Sequence, residues 1–441
     1  MTATTVHTVR DQCLAPGRTV DAPSAGARYG RMFPDLPPLV VDPEVLYAAG
    51  TPGGLCDATS FPSPAGHEAA GWPFFGQLIA HDITADRSPV GPHADVVALR
   101  NARSPRLDLE MIHADGPVGA PYLYDADDPA KLLTAPGGRD LPRNSQGTAL
   151  IGDPRNDVHV FVAHLHLAFL HAHNRLVDRL RADGVPEDDL FPAAKRALTW
   201  HYQWIVVHDF LPRLVGRAMV ADILALGPRW FAPRPGEAFI PLEFADAAYR
   251  YGHGQIRHRY RLQPDGPQFP LFPALFGHGP IPPEHELDWA LIFDMPGRPP
   301  AQRAKRLDGG LPASLIALPR EVTGDVPVDA YRSLAVRDLL RGSATALPAG
   351  EVVAEAMGVR PLAPDETGEP WAGRTPLWLY VLKEAQHREG GDRLGPVGGR
   401  IVAEVLLGLL RADSGSFLVA DPGWRPTLPA HGPHFGLADL L

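Results

Sequence analysis

Cysteine is nearly absent from this chain, with Cys13 and Cys56 the only two in 441 residues. Two thiols exclude a disulfide framework and any four-thiolate cluster or zinc site, leaving one bridge or two free thiols. Long apolar runs are missing too. The nearest approach to the roughly 18 uninterrupted apolar residues that span a bilayer is the amphipathic Ile401 to Leu410, so no transmembrane segment is expected. Basic clusters are also lacking: 41 Lys and Arg against 51 Asp and Glu give a net charge of −10, which repels a polyanion and excludes nucleic acid as a partner. Met1 to Ala15 carries His7, Arg10 and Asp11 but no apolar core of a secretory signal, so the expected location is cytoplasmic. Neither an internal repeat nor an HExxH pattern is present.

What is there is globular: 45% hydrophobic and 21% charged residues, enough for a sizeable core. Proline (49) and glycine (44) are abundant, so the connections are many and sharply punctuated. Between them the apolar period is helical. Val158, Phe161, Val162, Leu165, Phe169, Leu176 and Leu180 recur at three- and four-residue steps and predict a buried helix over 157–180. A second long helix is predicted over 191–215, and shorter ones over 72–83, 332–340, 349–357, 376–385 and 396–410. Strand signals are weak. Residues 16–49, 264–283 and 361–375 are rich in Pro and Gly without helical period and read as irregular wrapping segments. The expected organisation is an irregular N-terminal arm over 1–50 and a single, mainly α-helical domain over 51–441.

Three segments carry candidate chemistry. Gln77 and His81 stand four apart on one helix face in apolar surroundings. Arg155, in Gly152-Asp153-Pro154-Arg155, sits at the mouth of the long helix, where a cation opposes the helix dipole and is therefore held for another use or by Asp153 or Asp157. His253 lies between Gly252 and Gly254, which leave room for a flat, bulky group beside its ring. Each alone has a plain structural reading. His159, His164, His166 and His171 crowd the long helix but spread around it, which argues against zinc.

Taken together and in this order, the segments resemble the peroxidase-cyclooxygenase superfamily, the animal-type haem peroxidases, and within it the bacterial branch. That family carries a Gly-Gln-x-x-x-His-Asp helix, a Gly-Asp-x-Arg element opening a helix that ends in His-Asn-Arg, and an Arg-Tyr-Gly-His. Here these are Gly76 to Asp82, Gly152 to Arg155 with His173-Asn174-Arg175, and Arg250 to His253. The resemblance runs from about Trp72 to Leu410 and implies a helical fold with haem b between two walls. It implies that His253 ligates the haem iron, and that His81 moves a proton of hydrogen peroxide while Arg155 and Gln77 steady it. A ferryl intermediate would then oxidise a small organic, halide or pseudohalide donor. The position expected to hydrogen-bond the ligand histidine holds Asp338, and Arg250 and Arg341 are expected to pair with haem propionates. His166 and His173 match histidines of the family and are expected to be structural.

The resemblance also implies Ca²⁺, held by Asp82 and by the Ser104, Arg106 carbonyl, Asp108 and Glu110 loop. Two departures shape the expectation. Ala80 and Val158 occupy the positions whose carboxylates esterify haem in mammalian members, so the haem is expected to be non-covalent. Arg250 stands where an oxygenase needs a tyrosine, which sets a haem oxygenase acting on a lipid or secondary metabolite second, and a non-catalytic haem-binding protein third. The donor channel is expected among residues 115–125 and 269–283. Oligomeric state is not legible.

Overall fold

A computed structural model describes residues 29–58, 65–85, 99, 101–371 and 373–441; Cys13 and the first 28 residues of the expected arm lie outside the described residues. Among those described, the α-helices of eight or more residues are α1 (Pro43–Gly50), α2 (Trp72–Ile83), α3 (Val160–Ala182), α4 (Glu187–Ile205), α5 (Arg217–Leu226), α6 (Leu334–Ala344), α7 (Leu377–Glu389) and α8 (Pro396–Ala412). Strands are few and short, as the weak strand signal suggests. They are β1 (Tyr29–Gly30), β2 (Ala65–Ala69), β3 (Ile240–Pro241), β4 (Arg259–Arg261), β5 (Gln268–Pro270) and β6 (Arg303–Lys305). They form three two-stranded sheets, β1 with β3 in parallel, and β2 with β6 and β4 with β5 antiparallel.

The long helix begins three residues later than its apolar period implies. Arg155 and its neighbours instead form a 3₁₀ turn, Pro154–Asp157, capped by Asp153, whose carboxylate accepts from the Arg155 N–H. The second long helix is broken where one was expected: α4 passes into a π-helical turn, Val206–Phe210, before Leu211–Val215 resumes as α-helix. The segment expected to be irregular before residue 50 holds α1, whose Asp42 cap and Pro43 start it, and β1. Glu243 accepts from the backbone N–H groups of Met32 and Phe33, so this part of the chain is tied into the body of the fold. A further helix, α5, lies between Gly216 and Gly227 and was not foreseen.

α3 packs along α4 and α2, and α7 along α8. Close approach is built in: a Cβ on Gly398 of α8 would lie 2.5 Å from the Val381 side chain of α7. Phe74 of α2 stacks on Phe161 of α3 with centroids 4.2 Å apart, and both meet Tyr260. Fully burying each ring contributes about 1.5–3 kcal/mol. This contact holds α2, which carries His81, against the start of α3, just after the 3₁₀ turn that carries Arg155. Among the described residues, no helix is long and apolar enough to cross a membrane.

Candidate functional site

α2 ends cleanly, which sets the depth of His81. The Thr84 hydroxyl donates to the Ala80 carbonyl, and Asn101 donates to the Ile83 carbonyl while accepting from the Ala85 N–H. Gln77, Ala80 and His81 on one face of α2 line a cavity shared with Arg155, Val158 and His159 from the turn before α3. Across it stand Tyr249, Arg250, Tyr251, Gly252 and His253 of the 3₁₀ segment Ala248–Gln255. Phe244, Leu271, Phe272, Phe276, Leu315 and Leu318 supply an apolar surround. Gln77, His81, Arg155 and His253, separated in sequence by up to 176 positions, thus face one space.

On the α2 side, the His81 Nδ1 lies 2.7 Å from the Asn156 Oδ1. An amide oxygen only accepts, so Nδ1 carries the proton and Nε2 keeps its lone pair. The Asn156 NH₂ in turn donates to His166 Nδ1 at 2.9 Å, which fixes the amide's orientation. Burial, then the Arg155 charge, lowers the His81 pKa to about 3, so the ring stays a neutral base. Arg155 is held from several sides: by Asp153 at 2.7 Å and by the His81 and Thr84 carbonyls at 3.0 and 2.7 Å. Burial opposes the charge on Asp153, but Arg155 and Arg103 outweigh it and hold the carboxyl well below its usual range. Gly152 permits the whole arrangement, because a Cβ there would lie 2.4 Å from the Met111 carbonyl.

On the opposite side, the His253 Nδ1 lies 2.6 Å from the Asp338 carboxylate, which is fully buried in the middle of α6. Asp338 is therefore engaged inside the protein, not paired with Arg337 at the surface. Arg250 donates to its other oxygen at 3.1 Å. Arg341 pairs with Asp246, a buried carboxylate lining the cavity whose Oδ2 has no hydrogen-bond partner. Burial raises the Asp246 pKa to about 6 despite Arg250. Both arginines expected to meet propionates line the cavity, but each is turned to a carboxylate of the protein, with which a propionate would compete.

The residues present fit a haem in their donor set. His253 offers one ring nitrogen while its other is committed to Asp338, the surround is apolar, and the facing histidine holds a second lone pair. Of the two flanking glycines, Gly252 leaves open space, with Pro73 3.9 Å from a Cβ placed there. Gly254 answers a different need, since its Cβ would press on Leu307 at 3.2 Å. Ala80 and Val158 line the cavity without a carboxylate to offer. Leu271, Phe272 and Phe276 come from the expected channel segment, whereas residues 115–125 do not reach the cavity.

Of the expected calcium ligands, Ser104, Asp108 and Glu110 are linked by hydrogen bonds. The Ser104 hydroxyl meets Asp108 at 3.1 Å, and burial, then the charge of Asp108, raises the Asp82 pKa. One oxygen of buried Asp82 has no hydrogen-bond partner, an arrangement that suits a cation. Glu110 stands beside them, its two oxygens accepting from Arg103 at 3.1 Å and from the Ser104 N–H. Among the described residues, no group of three or more His, Cys, Asp and Glu side chains could hold a metal ion.

The histidines of α3 are each occupied separately. His164 and His171 meet the Val160 and Gly138 carbonyls, His166 meets Asn156, and His173 meets the Ala130 carbonyl and His113. Sequence reasoning did not find Asn156, Asp246 or the service of His159 to Gln77. Asn156 follows Arg155 directly and was legible as a candidate; the other two depend on contacts across the fold.

Residues 93–276 match the family model described as animal haem peroxidase. Human lactoperoxidase is 31% identical over 196 residues, which cover 40% of this chain and 25% of that protein. A peroxidase-like protein of Margaritifera margaritifera is 32% identical over 116 residues, covering 24% of this chain and 14% of its own length. The chain thus aligns with a quarter or less of these relatives. Among solved structures, peroxidase A of Dictyostelium discoideum superposes with a TM-score of 0.59 at 14% identity, covering 92% of this chain and 89% of the other. The fatty acid alpha-dioxygenase of Oryza sativa gives 0.63 at 14% identity, covering 93% and 80%. Likeness at that identity speaks for the fold alone.

Proposed function

We propose, from this chain's kinship with the animal haem peroxidases, that it is a haem-dependent peroxidase that reduces hydrogen peroxide and oxidises a small organic, halide or pseudohalide donor. The observation that carries this reading is the pairing of two histidines across one cavity, each committed through Nδ1, one to an amide and one to a carboxylate. His253 Nε2 would hold a non-covalent haem b, which would supply the redox chemistry of peroxide reduction.

The protein's part is positional and electrostatic. His81 Nε2 accepts a proton from the peroxide oxygen and returns it to the departing oxygen, a transfer that needs a ring neutral at working pH. Arg155, fixed by Asp153, holds positive charge where negative charge develops, in a site walled by apolar side chains. Gln77 orients the peroxide. Asp338 draws the His253 Nδ1 proton toward itself and makes the ring a stronger donor through Nε2. Ca²⁺, in this reading, binds Asp82, Ser104, the Arg106 carbonyl, Asp108 and Glu110, and ties α2 to that loop.

The test is the absorption spectrum of the haem-loaded protein before and after one equivalent of peroxide, in the wild type and in His81→Ala. A rapid spectral change in the wild type alone supports the proposal; none in either protein overturns it. Tyr29, Tyr249 and Tyr251 all line the cavity and favour an oxygenase as the second reading, which requires oxygen uptake with an organic substrate and no added peroxide.

A further inference from the structure

Gln77 has an amide whose two ends offer opposite chemistry: its oxygen accepts hydrogen bonds and its nitrogen donates them. Which end faces the cavity decides whether an electron-rich ligand atom is welcomed or repelled. The choice is made by His159, which closes the cavity wall beside Val158 and caps α3.

His159 has both ring nitrogens engaged. Its Nδ1 accepts the Val162 backbone N–H at 3.3 Å, so that nitrogen carries no proton. Burial, then the neighbouring His81, lowers its pKa to about 3, and the ring is neutral with a single proton. That proton must sit on Nε2, which lies 2.8 Å from the Gln77 Oε1 and donates to it. Phe74 packs against the ring at 5.2 Å between centroids and Phe276 at 6.3 Å, and the two hydrogen bonds hold its orientation. The Gln77 oxygen is thereby occupied, and its NH₂ is left to the cavity.

We infer that His159 is a positioning residue that locks the Gln77 amide with its NH₂ toward the cavity. Resting on the peroxidase reading above, this sets which small ligands the site accepts. The wall then presents one acceptor, His81 Nε2, beside the Gln77 donor. A ligand that gives a proton at one atom and accepts a hydrogen bond at another, as a hydroperoxide does, meets both. A small anion meets the donor. The same amide reversed would set its carbonyl oxygen against the anion.

Two measurements test the lock. In the haem-free wild type, ¹⁵N–¹H correlation of the imidazoles should show His159 as the Nε2–H tautomer; an Nδ1–H tautomer overturns the inference without any variant or cofactor. In the ferric, haem-loaded protein, fluoride is titrated as a small acceptor probe against the wild type and His159→Asn. Asparagine keeps the α3 cap, so the fold survives, but it is too short to hold Gln77. Fluoride affinity should fall roughly tenfold, as expected when one hydrogen bond to a charged ligand is lost. Equal affinity in the two proteins overturns the lock while leaving the peroxidase reading intact. A wild type that takes up no haem overturns that reading, and the tautomer still decides the fate of the lock.

Discussion

The two walls of the cavity solve the same problem with different chemistry. Each holds a histidine by Nδ1 and turns the rest of the ring to the interior, but the partner of His81 is a neutral amide and that of His253 a buried carboxylate. An amide fixes the tautomer and adds no charge, so His81 remains a weak base that can both take and give a proton. A carboxylate fixes the tautomer and also pushes electron density into the ring, which suits a permanent ligand. Neighbouring charge follows suit: Arg155 lies beside His81 and disfavours its protonation, whereas Arg250 shares the carboxylate of Asp338.

The sharpest way to break this comparison is to remove each ring. His81→Ala should keep haem yet slow the reaction with peroxide by roughly 10²- to 10⁴-fold in stopped flow, while His253→Ala should fail to retain haem on gel filtration; loss of haem from both would make the walls equivalent. Next in size, Asp338→Ala should weaken haem retention by roughly 10- to 100-fold. Asp338→Asn should raise the Fe(III)/Fe(II) potential measured by spectroelectrochemistry, and an unchanged potential would detach the carboxylate from the ligand's electronics. Giving the amide wall a carboxylate is the converse experiment. In Asn156→Asp the new charge favours protonated His81, and a protonated ring cannot accept from peroxide, so the acid limb of the pH–rate profile should move up by about 1 to 3 pH units.

The smallest effect concerns stability. Among the described residues nine histidines have their pKa lowered, chiefly by burial, against four carboxylates whose pKa is raised. As pH falls below the ordinary histidine value of 6.5, the unfolded chain binds protons that rings held near 3 or 4 in the fold refuse. Stability is therefore lost toward acid, and the melting temperature should drop by about 5 °C or more between pH 7 and pH 5. A flat profile over that window would mean that the histidines are not buried neutral.

Periodicity alone gave α2 to the residue, and α8 within two residues at its end, because an apolar stripe and a proline start mark both. It could not give α1, whose eight residues are too few for a convincing period and follow Pro37 and Pro38. The π turn was equally hidden, since an unbroken apolar pattern runs through Val206, Val207 and Phe210. In the cavity, His81, Arg155 and His253 were candidates because their neighbours form short patterns, and Asp338 only through the family resemblance. What supports them was not. Asn156 reaches His81 from a 3₁₀ turn 75 positions away, and His159 reaches Gln77 across 82, distances over which spacing carries no information.

The strap formed by β1 bears on how the chain is made. Met32 and Phe33 bond to a glutamate 211 and 210 positions downstream, and β1 has β3 as its strand partner. At ribosomal speeds of about 5–20 residues per second, that glutamate is synthesised roughly ten to forty seconds after them. During that interval the strap must wait undocked, and Tyr29, which ends up inside the cavity wall, stays outside it. The vault over the two histidines is thus roofed late, by its oldest residues, after the segment carrying His81 has already been made.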